Sequence, residues 1–234
     1  MRKEILSTIL VLMLGFTSCD DGKIYSDNHI DAEGSILKIT TNISGTDKWP
    51  SGYSVVVAGF GESDYAVISK GIPAPETEGE AVSVTLSGIP EEVEKIELCV
   101  INSLRKRVTT FYEADFTAQQ DTIFMNVGTV NASMFNCIQE TVFDTHCIAC
   151  HGTSTSAAAG LFLTDGKSYK ALVNVEADLS EEGKMLVTPG DPDNSFILDI
   201  LSENITRHDH SDILSAVPIK ISLLESWIEG GAKE

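Results

Sequence analysis

From Ser35 to about Gly128 apolar and polar residues alternate with period two. Leu37, Ile39, Thr41 and Ile43 alternate with Lys38, Thr40 and Asn42. Val82, Val84 and Leu86 alternate with Ser83, Thr85 and Ser87, and Ile96, Leu98 and Val100 with Lys95, Glu97 and Cys99. Val108, Thr110 and Tyr112 continue the pattern, as do Ile123, Met125 and Val127. Tyr53 to Phe60 is a compact apolar run and Tyr65 to Ser69 a shorter one. Such alternation sends one set of side chains to a core and the other to water. Turn signals separate the runs: Ser44-Gly45, Gly59-Phe60-Gly61, Gly88-Ile89-Pro90 and Asn102-Ser103. Seven short strands at this spacing predict an all-β sandwich of immunoglobulin-like type over residues 35–128. No Cys…Trp…Cys spacing accompanies them, so the strand order stays open. Pro73-Ala74-Pro75-Glu76 opens a surface loop.

From Asn131 the texture changes to helical spacings separated by irregular loops. Phe135, Ile138, Val142 and Phe143 recur as one face of a helix over 135–146. Tyr169–Val175, Ser195–Leu201 and Ile219–Ile228 are further predicted helices. Asn194-Ser195 is a helix-start signal, and Gly230-Gly231 would stop the last helix. Residues 129–234 therefore read as a second domain.

The N-terminus reads as a processing signal, residues 1–18. Arg2 and Lys3 precede an apolar run, Ile5 to Phe16, that is too short to span a bilayer. Phe16-Thr17-Ser18-Cys19 resembles a bacterial lipobox, although leucine is usual where Phe16 stands. On this reading the Cys19 thiol carries a lipid, and the acidic stretch 19–34 is a flexible tether. An ordinary signal peptide is the competing reading. Either way the mature chain faces an oxidising space outside the cytoplasm, at a bacterial cell envelope, on its periplasmic or outer surface.

Composition adds two limits. The 234 residues include 42% hydrophobic and 22% charged, a balance that allows a buried core. The formal net charge of −19 argues against binding nucleic acid or an anionic membrane through charge. No Ser/His/Asp arrangement and no glycine-rich phosphate loop stands out.

Cys147-Ile148-Ala149-Cys150-His151 carries the chemistry. Two intervening residues set both thiols at the separation of two porphyrin vinyl groups, and the adjacent histidine falls beneath the iron. The motif predicts one covalent haem c, held by Cys147 and Cys150, with His151 as proximal iron ligand. A structural zinc site would need a second ligand pair, and a thioredoxin-like site a βαβ setting; the sequence has neither. Of five cysteines, two remain: Cys99 and Cys137, read as buried free thiols.

Around this motif the chain resembles small cytochrome c domains of the planctomycete type. The resemblance rests on Phe143-Asp144-Thr145-His146-Cys147-Ile148-Ala149-Cys150-His151-Gly152, followed by Ala159-Gly160-Leu161-Phe162-Leu163. Tyr169-Lys170-Ala171-Leu172-Val173-Asn174, then Val187-Thr188-Pro189-Gly190-Asp191-Pro192, then Trp227-Ile228-Glu229-Gly230-Gly231-Ala232 complete it in order. It covers roughly Asn131 to Glu234 and implies an all-α cytochrome c domain that carries electrons. One departure concerns the distal ligand. The family usually supplies a Met-Pro before its final helix, whereas this chain has Arg207-His208-Asp209-His210-Ser211-Asp212 there. His208 and His210 are the alternative iron ligands, Met185 is a third, and an open iron a fourth. His146 reads as a helix-surface residue, and Trp227 as core packing for the last helix.

Three functions compete. The first is a lipid-anchored, non-enzymatic electron carrier serving a redox partner that the sequence does not name. The second is a five-coordinate haem protein that binds a small ligand or reacts with peroxide. The third is a lipoprotein whose sandwich binds a glycan or protein, with the haem domain accessory.

Overall fold

The computed structural model describes residues 34–119, 122–152 and 157–234. The signal segment, Cys19, the tether up to Glu33, His29 and the Ser154-Thr155-Ser156 loop lie outside the described residues. The described residues form one compact unit.

Seven strands make two sheets. β1 (Ser35–Ser44) lies between β4 (Ala81–Ile89) and β7 (Ile123–Asn131), antiparallel to the first and parallel to the second. β2 (Tyr53–Phe60), β3 (Ile68–Gly71), β5 (Lys95–Asn102) and β6 (Arg107–Asp115) form the other sheet, in the order β3-β2-β5-β6, antiparallel throughout. Leu37, Ile39 and Ile43 of β1 meet Val55, Val57, Leu98 and Val100 across the core, as their alternation predicts.

The strand order corrects the immunoglobulin-like expectation. An immunoglobulin constant domain pairs its first strand with its second and places the seventh in the opposite sheet. Here the first and seventh strands are parallel neighbours, and the second pairs with the third and fifth instead. Alternation identifies a strand's two faces but carries no information about which strand lies alongside it.

A second departure lies in β5. Glu97, which alternation assigns to water, is 1% exposed. Arg107 donates from Nε to Glu97 Oε2 at 2.9 Å and from Nη2 to Oε1 at 2.6 Å, and Thr110 Oγ1 adds a third bond at 2.6 Å. Cys99, Val56, Ala58, Phe60 and Ile101 are buried with it, in a cluster separate from the main core.

The C-terminal part follows β7 directly. α1 (Met134–Ile138) is capped by Ser133, whose Oγ accepts from Asn136 N. The chain continues as a π-helical stretch (Gln139–Cys147) and one further turn, α2 (Ile148–His151). α3 (Ser168–Leu172), α4 (Phe196–Ser202) and α5 (Pro218–Glu229) complete the helices. Phe135, Phe143, Leu172, Leu224 and Trp227 are buried at their centre.

This part is not the all-α domain that the resemblance implies: the structure is mixed, about 25% helix, and its C-terminal helices are short. The helix expected over Tyr169–Val175 stops at Leu172, because Val173 turns extended and Asn174 enters the left-handed region at φ 57°. From there single β-bridges organise the chain, Val173 with Val187, and Met185 with both Glu176 and Ser195. The Pro-Gly-Asp-Pro turn holds itself, with Asp191 Oδ1 accepting from Asn194 N at 3.2 Å and Ser195 Oγ donating to Asp191 O at 2.8 Å.

Sandwich and helices share contacts. Trp49 Nε1 donates to Ala132 O at 2.6 Å, Ala132 N to Ser44 O at 2.8 Å, and Tyr53 Oη lies 3.1 Å from Ser226 Oγ. Gly45, at φ 73°, approaches the α1 cap so closely that a Cβ would lie 2.5 Å from Ser133 N. The end of β1 thus fixes where the helix leading to Cys147 begins.

Candidate haem site

The residues before the cysteines are wound more widely than an α-helix. Thr145 Oγ1 donates to Glu140 O at 2.9 Å, and Cys147 Sγ lies 3.7 Å from Val142 O, both spanning five residues. π-helical turns recur at functional sites. Val142 and Phe143 stay buried on the core side of this turn, while Cys147 is half-buried and Cys150 exposed. Gly152 ends this turn after His151. A side chain there would overlap the Ile148 carbonyl and Cβ, so only glycine fits the turn.

Cys147, Cys150 and His151 open onto a cavity of about 450 Å³. Leu172, Phe196, Ile197 and Leu224 form part of its apolar wall, and His210 and His208 enter from the loop between α4 and α5. Leu179, also on the wall, is 61% exposed, an apolar surface left uncovered by protein atoms.

Two imidazoles face each other here. The His151 and His210 ring centres are 6.3 Å apart and their planes are inclined by 34°. His151 Nδ1 lies 3.2 Å from Leu161 O, and His210 Nδ1 lies 3.2 Å from Thr206 Oγ1. Among the described residues, the Nε2 atom of neither ring makes a hydrogen bond. Burial draws the His210 pKa below the ordinary imidazole value, against the His208 backbone, whose hydrogen bond raises it; the His208 and His151 rings add to the fall.

The residues fit a haem. The 6.3 Å between ring centres leaves room for a metal ion between two imidazole nitrogens at the usual bond length of about 2.0 Å. Each anchored Nδ1 supplies the outer hydrogen bond that orients a metal-binding histidine. Among the described residues no three His, Cys, Asp or Glu side chains converge as a metal site.

Of the expected ligands, His151 and His210 come together. The His208 ring instead stands edge-on against His210, with centres 4.9 Å apart and planes at 85°. Met185 is not on the cavity wall; it is 37% exposed and tied into its bridges. Trp227 is buried as expected, and its Nε1 donates to Lys233 O at 2.8 Å. Cys99 and Cys137 are both free and buried.

His146 lies partly exposed on the π-helical stretch, as its helix-surface reading expects, and also faces the cavity. Its Nε2 lies 3.1 Å from Lys220 Nζ, which also donates to Thr141 O at 2.6 Å. Burial and then the Lys220 charge lower its pKa. Lys220, Thr206 and the Leu161 carbonyl were not singled out by sequence reasoning. Their roles depend on contacts across 74, 4 and 10 residues, for which no local spacing signals.

Comparison of the chain with known protein families, with curated proteins and with solved structures finds no match in any of the three.

Proposed function

We propose that this chain is a c-type cytochrome that carries single electrons at the cell envelope, anchored by lipid at Cys19 and serving a redox partner protein. The observation that carries the reading is the opposed pair His151 and His210 in an apolar cavity beside Cys147 and Cys150. Bound haem supplies a one-electron iron couple. Cys147 and Cys150 would hold it through their sulfurs, and His151 and His210 would each offer it an imidazole nitrogen. The apolar part of the wall would pack against the porphyrin faces. Two histidine ligands set a lower potential than a histidine–methionine pair, because thioether sulfur favours reduced iron. A histidine on each side of the cavity would leave a bound iron no position for substrate, which favours electron transfer over peroxide chemistry.

The test is expression with haem-maturation machinery, followed by haem staining on a denaturing gel and absorption spectra. The parent is expected to stain and to be six-coordinate and low-spin. Cys147→Ser with Cys150→Ser abolishes staining, and His210→Ala converts the ferric iron to high-spin while His208→Ala does not. Staining that survives loss of both cysteines refutes covalent attachment, and a high-spin parent refutes the axial pair. Release of the Cys19→Ala variant from the membrane fraction tests the anchor.

A further inference from the structure

We infer that Thr206 is a positioning residue that holds His210 in the one tautomer able to bind iron. The inference rests on the haem reading above and goes beyond it by naming what orients the distal ring.

The Thr206 hydroxyl carries a single proton. Its Oγ1 lies 2.6 Å from the His208 carbonyl oxygen, which can only accept, so that proton is committed to the carbonyl. Toward His210 Nδ1, 3.2 Å away, Oγ1 is then an acceptor. Nδ1 must carry the hydrogen, and the lone pair is left on Nε2. The opposite tautomer would need the Thr206 proton at Nδ1, leaving two oxygen lone pairs opposed at 2.6 Å. The Leu161 carbonyl imposes the same choice on His151, since it too can only accept from Nδ1. Both rings are thereby set alike, each with Nε2 free.

The setting of Thr206 agrees with this role. Residues 203–217 follow α4 without helix or strand, so regular structure does not hold the His210 ring. From Ser202 to His210 every residue is exposed except Thr206 and His210. Both line the cavity. His208 takes part through its backbone carbonyl, which explains why two histidines so close in sequence are not equivalent.

The experiment uses the full chain matured with haem, as parent, Thr206→Val, Thr206→Ser and Thr206→Ala. Haem staining reads attachment, the ferric spectrum reads spin state, and carbon monoxide titration of the reduced protein reads how firmly His210 holds the iron. Thr206→Val keeps the shape but removes the acceptor. It is expected to keep its covalent haem, to show a high-spin fraction, and to bind carbon monoxide on the order of 10- to 100-fold more tightly, the usual scale for losing such an outer hydrogen bond. Thr206→Ala should behave alike, Thr206→Ser should match the parent, and added imidazole should return Thr206→Val to low-spin. If Thr206→Val and Thr206→Ala carry haem but match the parent in spin state and carbon monoxide affinity, the inference is overturned while the cytochrome reading stands. A change in Thr206→Ser as large as in Thr206→Val also overturns it. A parent without covalent haem overturns both.

Discussion

Replacing Arg107 by methionine removes the cation from a carboxylate that has almost no access to water. Glu97 is 1% exposed and receives two of its three side-chain hydrogen bonds from Arg107. Arg107 also lies 4.2 Å from the centre of the Phe60 ring and donates from Nη1 to Asp64 at 2.8 Å. Methionine retains most of the apolar cover over Phe60, so the change isolates the charge. Asp64 is 62% exposed, and such surface pairs contribute about 0–1 kcal/mol. Breaking a buried pair from one side costs about 3–5 kcal/mol, because the remaining ion is left desolvated. Thr110 alone cannot satisfy two carboxylate oxygens that offer about four lone-pair sites.

The expected loss is therefore roughly 3–5 kcal/mol, a large share of the about 5–15 kcal/mol that holds a typical domain folded. At roughly 2–4 °C per kcal/mol for a domain of this size, the melting midpoint falls by about 6–20 °C. Far-ultraviolet circular dichroism of the haem-free chain, in urea and on heating, measures both quantities. Asp64→Asn is the surface control and should cost no more than about 1 kcal/mol. Glu97→Leu combined with Arg107→Met should recover most of the loss, since replacing both members of a buried pair with apolar groups is often near neutral. A loss under about 1 kcal/mol for Arg107→Met, or a double variant no more stable than the single one, would refute the reasoning.

In the haem-free chain the four described thiols should alkylate unequally near pH 8. Cys150 is exposed and should react first; burial, helped by Cys150, pushes the Cys147 thiol up to about 11, and burial raises Cys99 and Cys137 as well. Mass spectrometry with iodoacetamide reads the order, with Cys147 gaining on Cys150 only as pH rises toward its raised value; equal labelling of Cys147 and Cys150 at pH 8 contradicts it. Gly152→Ala should cost about 1–3 kcal/mol and lower the yield of covalent haem, because the methyl group must displace the Ile148 backbone. A parent-like urea midpoint and haem yield would show that the turn has room to give.

Local pattern was enough for much of this chain. The apolar run Tyr53–Phe60 coincides with β2, and the spacing around Phe135 to Phe143 points to the helical stretch that leads to Cys147. The cysteine pair and His151 are adjacent in sequence, so their proximity in space needs no fold to create it. These features were legible because side-chain period and motif spacing act over a few residues of backbone. The parallel pairing of β1 with β7, the burial of Glu97 and the shortness of the C-terminal helices were not. Each depends on what covers a residue, and the covering groups are remote in sequence or, like Arg107, on a neighbouring strand. The same holds for the distal side of the cavity. His208 and His210 are chemically equal and two residues apart; only the path of the loop presents one ring to His151 and turns the other one's carbonyl toward Thr206. A histidine's side-chain chemistry is written in the sequence, but its orientation and its tautomer belong to the hydrogen bonds that the folded chain brings to it.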